Sequence, residues 1–377
     1  MALSAGTRRT VACLLVGLGA LLIVAAVMIP TYTISKLAKT PLDLEITTIA
    51  NNQPNEDSLV LDSKSLTAPE GSAKVDTNVP IISQRFLTVE DPSDATEMTV
   101  QAGQTLRRID KQGDTGMLTA TVDRVTIDRK TGEPVAKDPN GSIAVTVNKD
   151  GASIADPVQH TGLQYRFPIG TDKKTYPYFD LNARKTFDIN YVDETEINSV
   201  QVYHFQQSIP VTNMWDVVNT PTNKLSLPAT KWGLEGDAPV TMTRFYTNTR
   251  DLWVEPKTGT VIKGSEQIHL FYARSGDHPD VTALKSHLVF DENTIESQIS
   301  VAKDNMDKLS LYGRVLPIVL GTLGAIALIA GVLVGVLGGS NATPIGGRRG
   351  GGPAPTGPGS RGFGDAQTEQ IDIRKNL

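Results

Sequence analysis

Cysteine is almost absent: Cys13 is the only one in 377 residues, and it lies inside an uncharged run. No disulfide can therefore staple the domain that follows, which must be held by its hydrophobic core. A chain of this length can bury one of sufficient size. The five histidines, His160, His204, His269, His278 and His287, include no pair at the four-residue spacing of a helical metal motif. No Gly-x-Ser-x-Gly elbow, phosphate loop or dinucleotide fingerprint occurs. Neither a metal, a cofactor nor an enzyme activity is expected. Basic charge is not in excess either, since 36 Lys and Arg stand against 41 Asp and Glu. Without Arg8, Arg9, Arg348, Arg349, Arg361, Arg374, Lys375, Asp365, Glu369 and Asp372 at the two ends, the interior holds 29 against 38, about −9. Nucleic acid is disfavoured as a partner.

Two uncharged apolar stretches are present instead. Val11 to Ile29 follows Arg8 and Arg9, and its nineteen residues cover about 28 Å as a helix, enough for a bilayer core. Leu316 to Leu337 is the second. A cleavable signal peptide, cut after Ala25 or Ala26, is the alternative for the first. However, the run is long for a signal sequence, and Met28-Ile29-Pro30-Thr31-Tyr32 offers no small-residue site at its end. Arg8, Arg9, Arg348 and Arg349 flank the cytoplasmic sides expected of two anchors, although Lys36, Lys39, Lys308 and Arg314 blur the bias. The expected protein is a plasma-membrane protein with both termini in the cytoplasm and one large domain in the periplasm or cell-wall space.

After a polar, proline-broken lead-in with one strand at Leu44 to Ile49, alternating Thr- and Val-rich runs predict a mainly β domain, either a sandwich or barrel-like. Ile127 to Val135 and Val254 to Ile262 both place Lys-Thr-Gly between strand-like runs, which predicts two hairpins. That turn is too generic to establish an internal duplication. Ile295, Ile299, Ala302, Met306 and Leu309 then recur at helical spacing, with Asn293 and Glu296 as a capping-box-like start near Thr294, and Pro317 marks a candidate kink where this helix meets the second span. The organisation expected is 1–10 cytoplasmic, 11–30 transmembrane, 31–290 extracytoplasmic β domain, 291–314 amphipathic helix, 315–338 transmembrane and 339–377 a disordered, Gly/Pro/Arg-rich cytoplasmic tail.

Asp193-Glu194-Thr195-Glu196 invites a test as a glycosidase pair, but a charge run after a strand reads as a solvated turn. Gly162 to Asp180 is the most distinctive segment: it holds five aromatics in a chain that is 6% aromatic. Their apolar area and polar handles suit the lining of an apolar cavity, or equally a packed core.

The stretch Tyr165-Arg166-Phe167-Pro168-Ile169-Gly170-Thr171-Asp172-Lys173-Lys174-Thr175-Tyr176-Pro177-Tyr178-Phe179-Asp180, the hairpin Trp253-Val254-Glu255-Pro256-Lys257-Thr258-Gly259 and the two terminal spans resemble an actinobacterial envelope family labelled porin PorA, which includes LmcA-like proteins. The resemblance covers nearly the whole chain. It implies an elongated, barrel-like periplasmic domain with internal cavities and one protruding helix, with a distant likeness to scavenger receptor class B lipid receptors. It further implies lipid or glycolipid binding or transfer in lipoglycan (lipomannan and lipoarabinomannan) assembly, and brings no catalytic residues. On this reading the cavity lining comprises Tyr165, Phe167, Tyr176, Tyr178, Phe179, Tyr203, Phe205, Trp253, Phe271 and Tyr272. The partners are an envelope lipid or glycolipid, the membrane and glycosyltransferases of that pathway. A scaffold that recruits such enzymes, through Gly17, Gly19, Gly321, Gly324, Gly331 and Gly335 in the spans or through the tail, is the alternative. A porin is the weaker one, because strand faces rich in Thr, Lys and Asp lack the apolar band of a spanning barrel.

Overall fold

The computed structural model describes residues 4–147 and 153–337. The tail assigned to 339–377 lies outside the described residues. Between the terminal helices the chain is mainly β. Its strands are β1 (Glu45–Asn52), β2 (Leu59–Asp62), β3 (Lys74–Asp76), β4 (Ile81–Glu90), β5 (Glu97–Arg108), β6 (Met117–Asp128), β7 (Gly141–Val147), β8 (Ser153–Val158) and β9 (Tyr176–Asp180). There follow β10 (Lys185–Ile197), β11 (Val200–Asn213), β12 (Lys224–Pro228), β13 (Pro239–Glu255), β14 (Thr260–Ala273) and β15 (Val281–Phe290). All belong to one sheet, with the order β8-β7-β6-β5-β4-β1-β15-β14-β13-β11-β10-β9 along its main path and β12, β2 and β3 attached at the side.

The sheet is not closed into a barrel. Its two end strands come together through side chains, with Ile143, Val158 and Phe179 in one apolar cluster and Arg184 paired to Asp156 at 2.9 Å. Backbone closure is prevented because the chain leaving β8 takes the free edge of β9 for itself. The Leu163 amide donates to the Pro177 carbonyl at 2.8 Å, and the Phe179 amide donates to the Leu163 carbonyl at 2.7 Å.

Turn chemistry sets the hairpins. Asn198 and Ser199 between β10 and β11 both have positive φ, as a two-residue type I′ turn requires. The run Asp193 to Glu196 consequently lies within β10 as an exposed strand face, not in a turn as its charge suggested. In the two Lys-Thr-Gly turns, Gly132 and Gly259 take φ of +76° and +72°. Each turn is held by the acid that precedes it: Asp128 accepts from the Lys130 and Thr131 amides, and Glu255 from those of Lys257 and Thr258. The second turn joins β13 to β14. The first extends β6 only as far as an isolated bridge from Ile127 to Pro134.

The helices are α1 (Ala5–Leu37), two short turns α2 (Ser63–Thr67) and α3 (Met214–Val217), α4 (Glu292–Ser310) and α5 (Leu316–Leu337). The N-cap of α4 is Asp291, whose carboxylate accepts from the Thr294 amide at 2.8 Å. The helix thus starts two residues before the point that Asn293 and Glu296 indicated. Ile295, Ile299 and Ala302 bury against Val200, Val202 and Ile262, which lays α4 across the sheet. A π-helical turn, Leu311–Val315, carries α4 without a break into α5. Its widened hydrogen-bond ring stands just before Pro317, which has no amide hydrogen to give to the preceding turn.

Two helical stretches, Gly6–Thr33 and Glu292–Val336, are long and apolar enough to cross a membrane. The large exposed apolar side chains concentrate there, for example Leu14, Leu21, Val27, Ile318, Ile326 and Val336. The helices α1 and α5 pack antiparallel through small residues. A Cβ at Gly19 would lie 2.7 Å from the Gly324 carbonyl, one at Gly324 2.9 Å from the Gly19 carbonyl, and one at Gly331 2.8 Å from Val16. By contrast, Gly17 meets nothing within 4 Å.

Candidate functional site

Where the sheet meets the terminal helices, a cavity of about 400 Å³ opens. Its wall forms because β4, β5 and β6 alternate, so that Leu87, Met98, Val100 and Ile127 point to one face and join Leu44 and Ile46 from β1 and the segment before it. Val261 closes another side, and the last turns of α4 supply Val301, Asn305, Lys308 and Leu309. The mouth is made by Lys39 and Pro41, just after α1 and with buried Thr40 between them, and by the exposed Lys308, about two turns before α5 begins at Leu316. The site therefore lies beside both apolar helices. Its volume is within the range of about 300–1,000 Å³ usual for ligand pockets.

The rim is cationic. Arg166 donates through Nη2 to the Thr258 carbonyl at 2.9 Å, through Nε to the Phe167 carbonyl at 3.3 Å and through Nη1 to the Thr40 hydroxyl. Arg129 donates to the carbonyls of Thr40 and Asp94, both at 2.8 Å. Every one of these acceptors is uncharged. Burial accordingly pulls the Arg166 guanidinium down to about 10.

Tyr165 stands at the inner end. It lines the large cavity and also two smaller ones, of about 60 and 70 Å³, that continue into the sheet's concave side. Its hydroxyl donates to Asp123, a fully buried carboxylate that also receives Gln164 Nε2 at 2.9 Å and lies 2.8 Å from His160 Nε2. Burial, with the Asp123 charge adding to it, pushes the Tyr165 hydroxyl well above its ordinary pKa, so it remains a neutral donor. The innermost space is polar. Arg250 there donates to Glu266 at 2.7 Å, Asp180 at 2.9 Å and Gln207 at 2.5 Å, and Arg85 donates to Gln104 at 3.1 Å.

Of the aromatics that the sequence singled out, Tyr165 lines the large cavity, and Tyr178 and Phe179 line the innermost one. Phe167, Tyr176 and Phe205 pack on one another, with Phe167 and Phe205 centroids 4.8 Å apart and Tyr191 and Tyr203 at the edge of the same cluster. Trp253 stacks on His204 at 4.6 Å, beneath α4. Phe271 pairs with Phe245, and Tyr272 with Trp232, away from these cavities. Most of these aromatics thus fill core, with Tyr165, Tyr178 and Phe179 as the ones that reach a cavity, whereas the apolar lining of the large cavity is mainly aliphatic. Sequence reasoning missed that lining and the cations. Alternation over Arg85 to Val89 and Leu118 to Ile127 was visible, but which face would be left unfilled was not. Among the described residues, no group of three or more His, Cys, Asp or Glu is placed to hold a metal.

A family described as Porin PorA matches residues 11–333. A protein named Porin PorA from Corynebacterium amycolatum is 32% identical over 381 residues, covering 86% of this chain and 98% of the relative. Another of that name, from Corynebacterium resistens, is 31% identical over 399 residues, covering 87% and 96%.

Proposed function

The chain belongs to the Porin PorA family, and from that premise we propose that it is a non-enzymatic lipid- or glycolipid-binding protein of the cell envelope. In this reading the β domain faces the periplasm, both termini are cytoplasmic, and the bound lipid serves lipoglycan (lipomannan and lipoarabinomannan) assembly with its glycosyltransferases. The observation that carries the proposal is the aliphatic cavity of about 400 Å³ whose mouth adjoins the two apolar helices. An acyl chain that moves from the bilayer into such a cavity exchanges one apolar surrounding for another and avoids water throughout. Gly19, Gly324 and Gly331 are already engaged in the α1–α5 contact, which weighs against the spans as a scaffold for another helix.

Native mass spectrometry of the full chain, extracted from its own membranes, tests the reading. A stoichiometric lipid is expected, and it should be lost in Val261→Trp, which fills the cavity. An unliganded, well-folded chain would overturn the proposal.

The name carried by the family and by both relatives favours a second reading, a diffusion pore. The open sheet and its polar outer strands do not offer the lipid-facing band of a spanning barrel. Stable single-channel conductance of the purified chain in planar bilayers would favour the pore.

A further inference from the structure

We infer that the cavity mouth is a binding site for a phosphate-type anionic headgroup, held by Lys39, Arg129, Arg166 and Lys308. This rests on the lipid-binding reading and adds the ligand's charge to it. Among the described residues, four cations line the cavity against a single carboxylate, Asp43. That imbalance occurs in a domain whose charge is otherwise acidic. None of the four forms an ion pair with a carboxylate among the described residues, although Arg108, Arg184, Arg250 and Arg274 all do. Asp128, in the adjoining turn, has its Oδ1 occupied by the amides of Lys130 and Thr131 and feels the Lys39 charge without forming an ion pair with it.

The two arginines also share a partner. Both hold Thr40, Arg129 through its carbonyl and Arg166 through its hydroxyl, and Thr40 is 1% exposed. Burial without a carboxylate partner disfavours the charged Arg166 guanidinium, which its carbonyl and hydroxyl acceptors compensate only in part. An anion seated beside them would supply the missing counter-charge and take up guanidinium donors that the present acceptors leave free, since each guanidinium has five N–H groups. Arg166 is also clamped between the two Lys-Thr-Gly turns. Its side chain lies against Gly132, and its Nη2 donates to Thr258. The cation is thus pre-positioned before any ligand arrives. Lys39 and Lys308, at the more exposed rim, meet the ligand first.

The test uses the full chain in detergent and native mass spectrometry, with phosphatidylglycerol, phosphatidylcholine of the same acyl chains, and inorganic phosphate as probes. Phosphatidylglycerol should bind in preference to phosphatidylcholine. The preference should fall roughly fivefold for each rim charge removed in Lys39→Gln and Lys308→Gln, as expected for a basic residue near a charged headgroup. Arg166→Gln should remove most of it, and Arg166→Lys should restore part; the two rim variants serve where Arg166→Gln fails to fold. Equal binding of both lipids, unchanged by the variants, overturns the headgroup inference and leaves lipid binding standing. Binding of neither lipid overturns the lipid reading itself. Phosphate retained with neither lipid bound supports the anion chemistry and overturns a lipid as its source.

Discussion

Arg250→Met removes the cation at the centre of the polar cluster on the concave side of the sheet, and the loss can be worked out from its partners. Arg250 in β13 reaches Glu266 in β14, Gln207 in β11 and Asp180 in β9, so one side chain ties strands spread over the last five of the sheet's main path. Asp180 is fully buried; among the described residues its Oδ2 has, beyond Arg250, only the Tyr246 hydroxyl at 3.0 Å, and its Oδ1 accepts the Ala183 amide at 2.8 Å. Removing one partner of a buried ion pair leaves an uncompensated charge and costs about 3–5 kcal/mol. At about 2 °C per kcal/mol for a domain of this size, the midpoint of thermal unfolding should fall by at least about 6 °C. Intrinsic tryptophan fluorescence of the full chain in detergent reads it. The loss should also depend on pH. Burial raises the Glu266 carboxyl, but Arg250, helped by Arg85, outweighs this and holds it below the ordinary value of 4.5. In the wild type, Glu266 therefore adds stability above that value, which is lost as pH falls through the lower folded value. Without Arg250 burial is opposed only by Arg85, the folded value rises, and the charged form loses its main stabilising partner at neutral pH. The gap between variant and wild type should accordingly narrow between pH 7 and pH 4. A midpoint within about 2 °C of wild type at pH 7, or a gap that widens in acid, would refute this account.

Gly259→Ala should cost about 3 kcal/mol or more, because the new Cβ overlaps the Phe167 carbonyl as well as straining a φ of +72°. Gly170→Ala, at φ +78° with nothing within 4 Å, should cost only about 1 kcal/mol, and the difference in unfolding midpoint isolates the packing part. Asp291→Ala should lose about 1 kcal/mol through the α4 cap, measured in the same assay. With Cys13 replaced by serine, Ala12→Cys and Gly335→Cys should crosslink readily, since the Cβ positions are 3.7 Å apart, and adding Gly324→Leu should abolish the crosslink by forcing α1 and α5 apart.

Local features were legible without the structure. The spans were readable because a bilayer demands a long uncharged run, and the strands because alternation and turn residues act over only a few positions. The Lys-Thr-Gly turns were visible for the same reason, since glycine alone takes their positive φ without strain. Where a local signal was shared by two structures, the reading failed. A cluster of carboxylates suits a turn or an exposed strand equally, and the positive-φ pair Asn198-Ser199 put Asp193 to Glu196 in the strand.

The candidate site was the least legible part, because it is defined by what fails to pack. Phe167 and Phe205 had the same claim to line a cavity as Tyr165, and only their meeting at 4.8 Å made them core. Lys39, Arg129, Arg166 and Lys308 come from four separate parts of the chain, so no spacing could announce them. By itself, then, the sequence determined the two apolar helices, the β character between them and the lack of any disulfide, all properties of short segments or of composition. Whether the sheet closes, which face stays hollow and which cations lack a carboxylate were decided only in the tertiary structure. Each of these is a relation between residues distant in the chain, set by how the strands register and by which side chains reach one another first.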